Sequence, residues 1–85
     1  MTSKYDRLAD HLAASGAATT TLTFAEIKAV AGPLPALARR DRYWWVATAL
    51  ARYASAHIHA WWQAGYAADI PDFATETVTF RRVRP

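Results

Sequence analysis

The chain has 85 residues and no cysteine, so it can form one small domain and cannot use disulfides, thiolate nucleophiles or the common zinc frameworks. Its formal charge is +3, its pI is near 9.7, and eight of its ten cationic residues are arginine, which suits bidentate phosphate contacts. No apolar run approaches the roughly 18 residues that span a bilayer, and the polar N-terminus predicts no signal peptide. We therefore expect a cytoplasmic domain without membrane contact.

The N-terminal part of the chain predicts a helix followed by a strand. Residues 3–15 carry Tyr5, Leu8 and Leu12 at helical spacing, which places these side chains on one face of the helix. Residues 17–23 are rich in threonine and follow a glycine, a composition that predicts a short strand or an extended connector.

The clearest local signal is a capping box at the start of the next helix. Thr23 and Glu26 have the spacing at which each side chain accepts a hydrogen bond from the other residue's backbone. Leu22 and Ile27 flank them as a hydrophobic staple, and Gly32 then ends the helix. The capping position accounts for Glu26, so we assign this carboxylate a structural rather than a catalytic role.

Residues 35–65 form a stretch without internal proline or glycine that contains every tryptophan of the chain: Trp44, Trp45, Trp61 and Trp62. Residues 35–40 predict a short helix with Leu37 facing inward. Residues 43–46 are equally consistent with a strand and with a helix, because a run of four apolar residues has no diagnostic period. We expect Trp44 or Trp45 to pack against Trp61 in the core, with one member of each pair partly exposed.

Residues 48–64 predict the last helix, which is dominated by alanine. One broad apolar face of this helix combines Leu50, Tyr53 or Ala54, His57 or Ile58, and Trp61. Residues 66–70 predict a strand with Tyr66, Ala68 and Ile70 pointing inward, and residues 75–82 predict a second strand with Val78 and Phe80 on one face.

Helices that precede a closing hairpin predict an α+β fold. The order helix, strand, helix, helix, strand, strand is that of a winged helix, in which the last helix before the hairpin reads DNA and the hairpin forms the wing. We therefore predict that residues 1–85 form a single small winged-helix-like domain. It would have three to four helices, a C-terminal β-hairpin and a short third strand.

The arginines fall into a first cluster, Arg39, Arg40 and Arg42, and a second cluster, Arg81, Arg82 and Arg84. In a winged helix both clusters can border one face and contact the phosphates of double-stranded DNA. The sequence thus predicts a non-catalytic nucleic-acid-binding module whose contact residues are Arg39, Arg40, Arg42, His59, Trp62, Gln63, Arg81 and Arg82. His59, Trp62 and Gln63 lie on the last predicted helix and would face the groove. A solvated basic surface explains the same arginines equally well.

Two other functions remain open from the residues alone. A homodimer or another protein partner would use exposed Trp62 and Tyr53 on the alanine-rich helix. A small-ligand pocket would be lined by Tyr43, Trp44 and Tyr66, with an arginine for an anion.

We expect no enzyme activity, no cofactor and no metal site. The chain contains neither a G-x-S-x-G elbow nor a glycine-rich phosphate loop. His57 and His59 are two residues apart, so on a helix their side chains point about 200° apart and do not share one ion.

Five sequence blocks in order resemble an uncharacterised family of small bacterial domains. The blocks are Leu22-Thr23-Phe24-x-Glu26-Ile27, Leu34-Pro35-x-x-Ala38, Trp44-Trp45, Ala60-Trp61-x-x-Ala64-Gly65-Tyr66 and Val78-x-Phe80-x-Arg82. The family pattern reads L-T-F-x-E-I, L-P-x-x-A, W-W-x-N, A-W-x-x-A-G-W and V-x-F-x-R. The resemblance covers nearly the whole chain and implies a winged-helix-type module with a DNA-linked role and no assigned activity.

Two departures from that pattern affect side chains that pair with adenine. Ala47 stands where the family has Asn, and His57 stands where it often has Gln. If those amides read bases in relatives, this chain has lost or changed that recognition.

Overall fold

The structure, a computed structural model, describes residues 4–46, 48 and 55–83. In chain order these residues form α1 (Lys4–Ser15), β1 (Thr19–Thr23), α2 (Phe24–Ala31), the 3₁₀ helices η1 (Ala36–Arg39) and η2 (Arg42–Trp44), α3 (Ala56–Gln63), β2 (Tyr66–Ala68) and β3 (Thr77–Arg82). The described residues therefore make a small α+β domain with three α-helices and one antiparallel sheet, which confirms the predicted class. None of the described helices has the length and apolar content that crossing a membrane requires.

The sheet has the order β1-β3-β2, so β3 is the central strand and both neighbours run antiparallel to it. Val78 and Phe80 of β3 are buried on the inner face, as the alternating pattern predicts. The outer face carries threonines, and the hydroxyls of Thr21 and Thr79 lie 2.7 Å apart across β1 and β3. Period-two alternation therefore separates a core face from a polar face.

The β2–β3 hairpin contains a register shift that overturns one prediction. Its backbone pairs Asp69 with Thr79 and then Asp72 with Thr77, so one extra residue lies on the first strand between these two pairs. An extra residue on one strand makes a β-bulge and reverses the side-chain alternation. Ile70, predicted to face inward, is consequently 61% exposed.

The second helix begins as its sequence predicts. The Glu26 N–H donates to Thr23 Oγ1 and the Thr23 N–H donates to Glu26 Oε1, both at 3.0 Å. These bonds satisfy two donors that the first turn would leave unpaired, and they lower the pKa of the Glu26 carboxyl. Gly32 ends α2 with φ of 95°, a conformation that favours glycine.

The segment after α2 forms the predicted short helix but orients one side chain differently. Residues 36–39 form a 3₁₀ helix, and Leu37, predicted to face inward, is 46% exposed, whereas Ala38 is buried. The carbonyl of Ala38 accepts a buried hydrogen bond from Trp45, which turns Ala38 inward and Leu37 outward. Residues 42–44 are neither strand nor α-helix but a second 3₁₀ turn.

The last helix is shorter than predicted. A continuous helix over residues 48–64 is wrong, because Ser55 is extended, with φ of −94° and ψ of 119°, and α3 begins after it. The Ser55 side chain makes no capping hydrogen bond to the first turn, and its hydroxyl lies 2.9 Å from His57 Nδ1 instead. Leu50, Tyr53 and Ala54, assigned above to the helix face, lie outside the described residues.

The indole of Trp45 is the centre of the core and has no exposed surface. Its ring stacks between Phe24 and Trp61, with centroids 5.6 Å away on each side, and the edge of Phe80 meets it at 6.4 Å. Its Nε1–H donates to the Ala38 carbonyl at 2.7 Å. The prediction that one tryptophan of each pair packs in the core is therefore confirmed, with Trp45 and Trp61 as the buried members.

We predict that Trp45→Ala lowers the free energy of unfolding by about 3–5 kcal/mol, because it removes the central ring of the stack. Trp45→Phe retains an aromatic ring but leaves the buried Ala38 carbonyl without a donor, at a cost of about 1–3 kcal/mol. Trp62→Phe, at a half-buried position on α3, is the control and should cost less than either. Urea denaturation followed by circular dichroism measures all three, and equal losses for Trp45→Phe and Trp62→Phe would contradict this view of the core.

Candidate nucleic-acid interface

The first arginine cluster lies on η1, on η2 and on the turn between them. The Arg39 guanidinium donates from Nη2 to Glu76 Oε2 at 3.1 Å, and both side chains are more than half exposed. Arg40 is exposed on the following turn. Arg42 lies over the ring of Tyr43, 5.2 Å from its centroid, and Tyr43 is itself 67% exposed. The cluster is therefore accessible to a partner.

Glu76 joins the β2–β3 hairpin to both α2 and the first cluster. It is the one described residue other than glycine with positive φ, at 54°, a conformation that is uncommon for glutamate. The loop before it is held by the Asp72 side chain, which accepts from the backbone N–H groups of Ala74 and Thr75. The Glu76 carbonyl accepts from the Phe24 N–H at 2.8 Å, so the loop is fixed against the start of α2.

The second arginine cluster ends β3. Arg81 points to the outer face of the sheet and donates from Nη2 to Asp69 Oδ2 at 2.8 Å. That hydrogen bond and the charge of Asp69 raise the pKa of the Arg81 guanidinium. Arg82 donates to the Gly16 carbonyl at 3.3 Å, and Arg84 lies outside the described residues.

The two clusters lie at opposite ends of β3 instead of forming one patch. Arg39 pairs with Glu76 just before the strand, and Arg81 lies five residues further on, which is about 17 Å at the rise of a β-strand. This separation corresponds to about five base pairs of duplex. One duplex is therefore long enough to contact both ends of the strand.

The predicted groove-facing residues occupy the outer side of α3. Gln63 is exposed, whereas His59 and Trp62 are half-buried and make contacts within the protein. The Val83 N–H donates to the Gly65 carbonyl, which places the C-terminal end of α3 beside the second cluster and away from the first. Trp62, the residue that a protein-interaction surface would use, is thus only partly available, and Tyr53 lies outside the described residues.

His57 occupies an aromatic enclosure that the sequence did not predict. Its ring stacks on Trp44 at 3.8 Å, and the rings of Tyr5 and Trp61 each lie 5.5 Å from it. Nε2 lies 2.6 Å from the Trp44 carbonyl and Nδ1 lies 2.9 Å from the Ser55 hydroxyl, so a neutral ring can donate to the first and accept from the second. Burial lowers the pKa of His57, and the bond to the Trp44 carbonyl opposes that shift.

We predict that His57 makes stability depend on pH. Because its folded-state pKa lies below the ordinary 6.5, the unfolded chain binds the proton more readily, so stability is full above pH 6.5 and falls as the pH drops through the folded-state pKa. His57→Gln should reduce this loss, and His59→Gln should leave it in place. Denaturation midpoints between pH 8 and pH 4.5 measure the effect, and identical profiles for wild type and His57→Gln would exclude it.

The structure does not form the ligand pocket that the sequence suggested. Tyr66 is buried and its hydroxyl donates to the Ala17 carbonyl, so its ring cannot line an open site with exposed Tyr43. A surface pocket of about 450 Å³ lies instead between the hairpin loop and the start of α2. Lys28, Arg39 and Glu76 supply its charges. Sequence reasoning missed this site because its residues come from three separate segments.

These features define a small α+β domain with two exposed arginine clusters, a fixed hairpin loop and an adjacent pocket. A family model described as a domain of unknown function, DUF7662, matches residues 5–83, and the chain belongs to this family. The predicted membership in an uncharacterised family is thereby confirmed. Neither the curated proteins nor the solved structures include a match to the chain.

Proposed function

We propose that this chain is a non-catalytic nucleic-acid-binding module of the winged-helix type that acts on duplex DNA in the bacterial cytoplasm. The observation that carries the proposal is the exposure of arginine side chains at both ends of the central strand, where each pairs with an exposed carboxylate. The residues that contact phosphates are Arg39, Arg40, Arg42, Arg81 and Arg82.

The order of elements supports a winged-helix arrangement. β1 lies between α1 and α2 and pairs with the central strand β3, and α3 immediately precedes the β2–β3 hairpin that would be the wing. Between α2 and α3 the described residues form the 3₁₀ helices η1 and η2, and this part of the chain carries the first arginine cluster.

Phosphates can replace the carboxylates that now pair with the arginines. An exposed ion pair contributes only about 0–1 kcal/mol, so releasing Glu76 or Asp69 costs little. Each arginine that binds a phosphate also releases condensed counterions from the duplex. The arginines are thus available for binding that is strong at low salt and weak at high salt.

The helix α3 offers few side chains that could recognise a particular DNA sequence. Residues 56–63 of α3 contain no lysine or arginine, so affinity rests on the arginine clusters, and His59, Trp62 and Gln63 supply the polar groups that face a groove. His57, at the position where relatives often carry Gln, is enclosed by aromatic rings and cannot reach a base edge from there. Ala47, the other departure, lies outside the described residues. We therefore expect little preference among DNA sequences.

We predict that fluorescence anisotropy with a labelled duplex gives a log–log salt slope near −4 to −5, the value for about five phosphate contacts. Arg81→Gln should reduce the magnitude of this slope by about one. Arg7→Gln, which removes an exposed arginine of α1 outside both clusters, is the matched control and should leave it unchanged. Absence of binding at low salt would end the proposal.

We further predict that Asp69→Asn strengthens DNA binding about two- to fivefold, because Arg81 then no longer exchanges a carboxylate for a phosphate. Asp10→Asn makes the same change of charge on exposed α1 and should raise affinity less. Anisotropy titrations at one fixed salt concentration compare the two variants. Equal gains would show that only net charge matters and would contradict a specific role for Arg81.

A further inference from the structure

We propose that the pocket between the hairpin loop and α2 binds a small organic carboxylate that has an apolar body. The volume and the lining residues of the pocket support this proposal, which does not depend on DNA binding. The pocket volume of about 450 Å³ falls within the range of about 300–1,000 Å³ that is usual for small-molecule sites.

The floor of the pocket is apolar and rigid. Phe24 and Leu34 line it, and the Phe24 ring is buried because it stacks on Trp45 and meets the edge of Phe73. A side chain held by such packing keeps its shape when a ligand arrives, so little ordering cost accompanies binding. This floor suits a flat ring or a short branched chain.

The rim of the pocket has an excess of positive charge. Lys28 and Arg39 are cationic and Glu76 is anionic, so the three side chains sum to +1. The Lys28 ammonium has no hydrogen-bond or ion-pair partner among the described residues. Arg39 uses Nη2 for Glu76, and a guanidinium has further N–H groups that a ligand can engage.

The backbone of Glu76, the anionic member of the rim, is fixed in place, because its carbonyl accepts from the Phe24 N–H. Its carboxylate lies 3.1 Å from Arg39 Nη2, so Arg39 also lies at the rim. A single carboxylate on the ligand matches the charge of +1 and accepts charge-assisted hydrogen bonds from Lys28 and Arg39.

Benzoate tests the proposal through the ¹H–¹⁵N spectrum of the whole chain. Acetate has the same charged group without the ring, and benzyl alcohol has the ring without the charge. We expect benzoate to cause saturable shifts at the amides of Lys28, Thr75 and Glu76, and to bind at least about tenfold more tightly than acetate or benzyl alcohol. Equal binding of benzoate and acetate, or the absence of saturable shifts, would overturn the proposal.

Inorganic phosphate separates this proposal from a phosphate contact of the DNA-binding surface. Tighter binding of phosphate than of benzoate at the same amides would assign the pocket to phosphate and overturn the proposal. Weaker binding of phosphate supports it. Because no DNA is present, the absence of benzoate binding would not contradict the proposed DNA binding. The absence of DNA binding would likewise not contradict benzoate binding in the pocket.

Two variants locate the binding determinants. Lys28→Gln should weaken benzoate binding about tenfold, and Arg7→Gln, a cation outside the pocket, should not change it. Leu34→Ser should weaken benzoate and leave acetate unaffected, since only benzoate uses the apolar floor. Circular dichroism confirms folding of each variant. Unchanged benzoate affinity in Lys28→Gln would overturn the proposal.

Discussion

The fold depends on one indole. Trp45 lies between Phe24 of α2 and Trp61 of α3, and its Nε1–H binds the Ala38 carbonyl of η1. A chain of 85 residues buries a smaller fraction of its surface than a large domain, so it gains most from a few large aromatic rings. The indole therefore ties η1 to both helices. The first arginine cluster begins on η1.

The stack of Phe24, Trp45 and Trp61 also helps to position the first arginine cluster and the pocket. Phe24 is both a layer of the stack and the first residue of α2, and its N–H binds the Glu76 carbonyl of the hairpin loop. Glu76 in turn pairs with Arg39, so two contacts, Phe24 with Glu76 and Glu76 with Arg39, link the core to a charged group on the surface. The pocket is formed at this junction. The second cluster lies on β3, where Arg81 pairs with Asp69, and the same strand packs Phe80 against Trp45 and Trp61.

Local features of the fold and the packing of one tryptophan of each pair in the core could be predicted from the sequence, and most other tertiary contacts could not. The capping box of Thr23 and Glu26 and the alternation of Val78 and Phe80 follow from residues a few positions apart. Leu37 and Ile70 were predicted inward and are exposed, because a distant indole and a β-bulge decide their orientation. The pairing of Arg39 with Glu76, 37 residues apart, has no sequence signature. The enclosure of His57 likewise depends on rings from three segments. Sequence therefore predicts the basic character of the surface and not its geometry.

The proposed function requires arginines at both ends of β3 to bind the phosphates of one duplex. The arginine Nε–Hε signals in a ¹H–¹⁵N spectrum report such contacts during titration with a short duplex at low salt. We expect saturable shifts at Arg39 and Arg81 with the same affinity, and no saturable shift at Arg7 on α1. Shifts of equal size at all three arginines, or none at Arg39 and Arg81, would contradict it.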